Sequence, residues 1–292
     1  MDMKFNNWFR QLPVLLRVGI YLGGNYGLLF IAQVLTGFLP GKGQLITNGL
    51  LCLLLILFTG LVLKWENRSW KGIGCTTTSK SAWLDLLYGT LGGIAMLIAV
   101  AFTIKLLTGF HWELNPAFHW YQLLPIFITV FLSVFVQELA FRGYPFRILL
   151  EKWGEWPTQI IIAILFGCMH LSGNMSLTDI LLTMLTTGIG SLLFGIAVIR
   201  TGQLHLATGI HFGWNFLQYL LPRAAAQNGE GIWLVNGGTI NPSFELSLLI
   251  WILPYLIVAI AVFLLIRRSN QRPLALSASD RNSTGKNASK SA

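Results

Sequence analysis

Leu45-Ile-Thr-Asn-Gly-Leu-Leu-Cys-Leu-Leu-Leu-Ile-Leu-Phe-Thr-Gly-Leu-Val-Leu-Lys64 is a run of 20 residues whose one charge is its last residue. Wound as a helix at about 1.5 Å per residue, it covers about 30 Å, the hydrocarbon thickness of a bilayer. It does not alternate polar and apolar residues, so it is not a strand of a membrane barrel. Outward from it, comparable runs occupy 14–39, 84–108, 122–142, 157–172, 177–200, 204–221 and 246–266. The fifth and seventh of the set are short and broken by polar residues, which leaves the number of crossings at seven or eight. The composition agrees. Hydrophobic residues make up 54% of the chain and charged residues 11%, against about 25% charged in soluble domains. The expected fold is all-α, a polytopic membrane helix bundle of about eight transmembrane helices forming a single domain over 1–268. From Ser269 the chain turns to Ser, Asn, Lys and Ala with no apolar period, which predicts a disordered cytoplasmic tail over 269–292.

The net charge of +9 points to topology and excludes a nucleic-acid partner, because of where the cations fall. With the N-terminus inside, 17 of the 20 Lys and Arg residues lie in inner segments, and only Lys42, Lys105 and Arg223 lie outside. Such an asymmetry places both termini in the cytoplasm. The same cations attract anionic lipid headgroups. Cys52, Cys75 and Cys168 have no ligand-like spacing.

Polar residues at membrane depth are costly and are therefore candidates for function. His111, His119 and His205 fall in a Trp-rich loop or at a helix start and read as interfacial. Three other stretches carry polar groups into apolar spans. The fourth span contains Val136-Gln137-Glu138-Leu139-Ala140-Phe141-Arg142-Gly143, in which Glu138 and Arg142 share one helical face. The fifth ends Phe166-Gly167-Cys168-Met169-His170, and the seventh holds His211-Phe212-Gly213-Trp214-Asn215. Singly, each has a bland reading: a structural ion pair, a packing histidine, an amide joining helices. Together they supply a carboxylate, a guanidinium, two imidazoles and an amide, complementary groups on the polar faces of three spans. Arg142 closes an outward-to-inward span, so the shared cavity is expected near the cytoplasmic side.

Gln-Glu-x-x-x-Arg, then Phe-x-x-x-His, then His-x-x-x-Asn resembles the CPBP family of intramembrane proteases. That family includes the type II CAAX prenyl endopeptidases and bacterial proteins of bacteriocin processing and self-immunity. The resemblance covers about residues 122–220 and implies an intramembrane endopeptidase in a bacterial plasma membrane. Its substrate would be a membrane-associated peptide, either a protein C-terminal tail or a leader peptide. The resemblance assigns water activation to the positions of Gln137 and His170, oxyanion stabilisation to His211 and Asn215, and support of the site to Glu138 and Arg142. As a cofactor, His170, His211 and Glu138 would suit zinc, and a metal-free mechanism needs the same residue types.

One residue departs from the pattern. Gln137 stands where the family has its catalytic Glu, and an amide has no useful basicity at neutral pH. Two expectations follow. Glu138 can replace it, which requires a shifted helix because neighbouring residues lie about 100° apart. Alternatively the chain is a catalytically impaired homologue that binds a peptide as an immunity or scaffold membrane protein.

Overall fold

Apolar segments without water must satisfy every backbone N–H and C=O internally, and helices do so within a single segment. The computed structural model, which describes residues 8–39, 43–75, 80–238 and 243–270, is accordingly built of helices. They are α1 (Val14–Thr36), α2 (Gly43–Glu66), α3 (Lys80–Thr108), α4 (Leu123–Glu138), α5 (Tyr144–Trp153), α6 (Glu155–Cys168), α7 (Leu177–Thr201), α8 (His205–Leu220) and α9 (Leu253–Arg268). A π-helical turn, Leu139–Gly143, joins α4 to α5. Six helical stretches are long and apolar enough to cross a membrane, and the protein is an integral multi-pass membrane protein.

The expected spans are recovered with three differences. α6 and α8, with 14 and 16 residues, fall short of the roughly 20 needed to span alone, so six of the eight expected crossings have spanning length. The first span stops at Thr36 rather than 39, with the Gly37 N–H bonded to the Gln33 carbonyl. The fourth does not end at 142. It runs as one stretch, Trp120–Trp153, because the π turn carries the chain past Gly143. Pro145 then falls in the first turn of α5, where its missing N–H costs no helical bond. Of the expected tail, residues 271–292 lie outside the described residues.

α3 and α8 run parallel with their backbones in contact. Both carry the Gly-x-x-x-Gly spacing, Gly89/Gly93 on one and Gly209/Gly213 on the other. A Cβ at Gly89 would lie 2.6 Å from the Leu206 carbonyl oxygen, and one at Gly93 would overlap that of Ile210. From the other side, a Cβ at Gly213 would overlap the Thr90 carbonyl oxygen. His211 is two residues from each of the α8 glycines, about 200° around the helix. Clamping the glycine face on α3 therefore turns the histidine face toward the rest of the bundle.

The two ends of the bundle differ. One end gathers Arg10, Arg17, Lys64, Arg68, Lys71, Arg147, Lys152, Arg200, Arg267 and Arg268. There Glu66 accepts from Arg17 at 2.8 Å and from the Tyr144 hydroxyl at 3.1 Å, Arg68 pairs with Glu151, and Arg147 donates to the Gly202 carbonyl. The opposite end carries a short hairpin-like ribbon of two antiparallel strands far apart in sequence, β1 (His111–Leu114) and β2 (Trp233–Asn236), in register from His111 opposite Asn236 to Leu114 opposite Trp233. These strands are the exception to the expected all-helical chain among the described residues.

Candidate active site

Glu138 is the last residue of α4, and its carboxylate is fully buried. Oε1 accepts a hydrogen bond from His211 Nδ1 at 2.8 Å and a longer one from Arg142 Nη1 at 3.3 Å. Arg142, likewise fully buried, also donates through Nη2 to Ser191 Oγ of α7 at 2.6 Å. Its guanidinium lies 4.2 Å from the ring centre of Phe166 and 5.2 Å from that of Phe194. Burying two charges is costly unless each is paired and hydrogen-bonded, and aromatic faces add attraction for the cation. π turns occur often at functional sites, and this one begins directly after Glu138.

His211 stacks on Phe194, with ring centres 4.6 Å apart and planes inclined by 16°. Its Nδ1 faces a carboxylate, which only accepts, so Nδ1 carries the proton and Nε2 the lone pair of the neutral ring. His170 has the same polarity by another route. It follows the end of α6, and its Nδ1 donates to the Phe166 carbonyl 2.7 Å away. Phe166 touches both rings, with centres 4.7 Å from His170 and 5.9 Å from His211. Both imidazoles and Asn215 line one cavity of about 350 Å³. Two imidazoles and one amide thus line a space large enough for a peptide group and a water.

Of the residues singled out in the sequence, Glu138, Arg142 and His211 are joined by hydrogen bonds, and His170 and Asn215 share the cavity with His211. Gln137 stands apart. Its Nε2 reaches Ser133 Oγ at 3.3 Å, its Oε1 has no partner, and its side chain lines a separate pocket with Asn25 and Tyr26 of α1. The step of about 100° per residue that carries Glu138 to His211 carries Gln137 away from it.

The cavity also lies nearer the hairpin end than the spacing suggested. Its lining comes from the end of α6, the middle of α7, the later part of α8, the start of α9 and Arg223 just past α8. Arg142 is in mid-helix and marks no membrane face. Sequence reasoning missed Ser191, Phe194, Gln218 and Arg223. Arg223 was legible only as a rare cation on the sparse side of the chain, and Ser191 gave no signal among the many hydroxyls of α7.

The donor set does not suit zinc. Among the described residues no group of three or more His, Cys, Asp or Glu is arranged to hold a metal ion. Glu138 Oε1 already serves Arg142 and His211, and the Arg142 guanidinium beside the carboxylate would repel a dication.

Comparison with known families adds one finding. A family model described as type II CAAX prenyl endopeptidase, Rce1-like, matches residues 119–217. Over this segment the chain is similar to the Rce1-like protease family. The segment opens just before α4, closes within α8, and includes Glu138, Arg142, His170, His211 and Asn215. α1 to α3 and α9 lie outside it. No curated protein and no solved structure matches the chain.

Proposed function

We propose that this protein is an intramembrane endopeptidase that hydrolyses a peptide bond in a membrane-associated protein tail, using water activated at the His170–His211 cavity. The observation that carries the reading is the 2.8 Å bond from His211 Nδ1 to Glu138, made beside a cavity shared with His170. A carboxylate behind an imidazole fixes its tautomer and ring orientation. In this scheme His211 Nε2 takes a proton from a water that His170 Nε2 helps to hold. The water oxygen bonds to the scissile carbonyl carbon, and the Asn215 amide donates to the oxyanion that forms. The proton then passes to the leaving amine as the C–N bond breaks. Glu138 replaces the carboxylate missing at 137 by acting through His211, and Arg142 holds it in place.

The cation-rich end reads as cytoplasmic by the positive-inside rule, with the C-terminal ends of α2, α7 and α9 facing inward. The cavity then opens toward the other face, and substrate arrives from the side of the hairpin.

Hydrolysis of a dye-quenched lipidated peptide by the purified protein in liposomes tests the chemistry. Glu138→Gln is expected to lower kcat on the order of 10²–10⁴-fold, the usual worth of a positioned base. Gln137→Glu is expected to change it little. A large gain from Gln137→Glu, with Glu138→Gln silent, would place the base at 137 instead. A second reading rests on Gln137 itself, whose amide oxygen is buried without a partner. On that reading the protein binds a tail without cutting it, as an immunity or scaffold protein does. Peptide binding without cleavage in all three forms would establish it.

A further inference from the structure

The far wall of the cavity is formed by the half-buried Arg223. The residue lies just past α8, and Pro222 beside it is anchored to the hairpin by a 2.8 Å bond from Trp112 Nε1 to the Pro222 carbonyl. Its side chain folds back over α8. Nη2 donates to Gln218 Oε1 at 2.8 Å, and the guanidinium lies 5.2 Å from the ring centre of Trp214. Gln218 Oε1 also accepts from Trp214 Nε1 at 3.0 Å, so the amide, the indole and the guanidinium hold one another in a fixed arrangement.

What Arg223 lacks is an anion. Among the described residues it makes no salt bridge, its Nε is buried without a partner, and no Asp or Glu lines the cavity. A pre-oriented, desolvated and charge-unbalanced guanidinium suits a planar two-oxygen acceptor, for which Arg is preferred over Lys. Gln218 lies seven residues beyond His211 on the same helix, a rise of about 10 Å, or a few residues of extended peptide.

We propose that Arg223, held by Gln218 and Trp214, binds the free C-terminal carboxylate of the peptide whose bond is attacked at His170 and His211. This rests on the endopeptidase reading and deepens it by naming Arg223 as the residue that reads the end of the tail. The anchor sets specificity and takes no part in the proton transfers.

The test compares two dye-labelled apolar hexapeptides, identical except for a C-terminal carboxylate or a C-terminal amide. Binding to the purified full chain is read by anisotropy and cleavage by fluorescence. The acid form is expected to bind about ten- to a hundred-fold more tightly, the range of a charge-assisted bidentate contact. Arg223→Gln is expected to bring the acid-to-amide ratio to about one, and Arg223→Lys to restore part of it. Discrimination in binding without cleavage of either peptide would sustain the anchor and refute the endopeptidase reading. Cleavage with equal treatment of acid and amide would overturn the anchor alone. Equal binding or no binding of the two peptides, whatever the cleavage, also overturns it.

Discussion

The two ends of the bundle contain similar residues and use them in opposite ways. At the cation-rich end, Glu66 serves Arg17, Tyr144 and the neighbouring Arg68, while Glu151 serves Arg68 and the Gly202 carbonyl serves Arg147. At the hairpin end, Arg223 has a neutral amide and an indole for company, and two imidazoles each keep a nitrogen turned to an open cavity. At one end the polar groups are spent on one another between helices, whereas at the other they border open space. Burial of charge alone therefore does not mark a site; burial with capacity left over does.

Four measurements can break or sharpen this contrast. The largest effect is expected where the two ends share a support, the α3–α8 contact. Gly93→Leu forces a side chain into the Ile210 backbone, and the folded, monodisperse protein should be lost, as read by size-exclusion chromatography in detergent. A Leu variant that elutes as the parent does would show that the clamp is loose. Next, His211→Ala should reduce turnover on the order of 10²–10⁴-fold while the protein still folds, because the hairpin end is built for chemistry. Third, Glu66→Gln at the other end should leave kcat unchanged and cost about 3 kcal/mol of stability, the usual penalty for stranding a buried partner. Thermal unfolding followed in parallel with peptide hydrolysis separates the two. A loss of turnover with no loss of stability would erase the distinction between the ends.

The smallest effect concerns the hairpin. Hydrogen bonds from Asn236 and His111 hold the exposed Glu113 carboxyl below the usual carboxylate range. A carboxyl depressed in the folded state stabilises above its unfolded value, and that contribution is lost as pH falls through the folded value. Fluorescence of Trp112 and Trp233 should therefore report loosening of the hairpin only in acid, and Glu113→Gln should remove the pH dependence.

The facing of the cavity has its own check. Cys168, at the end of α6, is exposed, and Cys52 is buried. A membrane-impermeant maleimide should modify Cys168 in intact cells. Modification only after the membrane is opened would put the cavity on the cytoplasmic side.

The helices were legible because a twenty-residue apolar run has few alternatives in a bilayer, and Glu138, Arg142, His170, His211 and Asn215 stood out as expensive residues there. Two things were not. The π turn depends on a single extra residue in the backbone ladder, which no pattern of side chains around Leu139–Gly143 announces. The place of Arg223 depends on the loop after α8 folding back, a tertiary event that Trp112 fixes from more than a hundred residues away. Gln137 misled in a different way: its neighbours in sequence tied it to His170, but helical phase sends it toward α1.

That π turn also separates two rotations that a plain helix would lock together. The angle at which Glu138 meets His211 is set by how α4 packs, and the angle at which Arg147 meets Gly202 is set by α5. With the wide turn between them, each half keeps its own phase. Removing one residue from 139–143 would restore a uniform pitch and make the two contacts compete, so a single-codon deletion there should be far harder to tolerate than any substitution at the same positions.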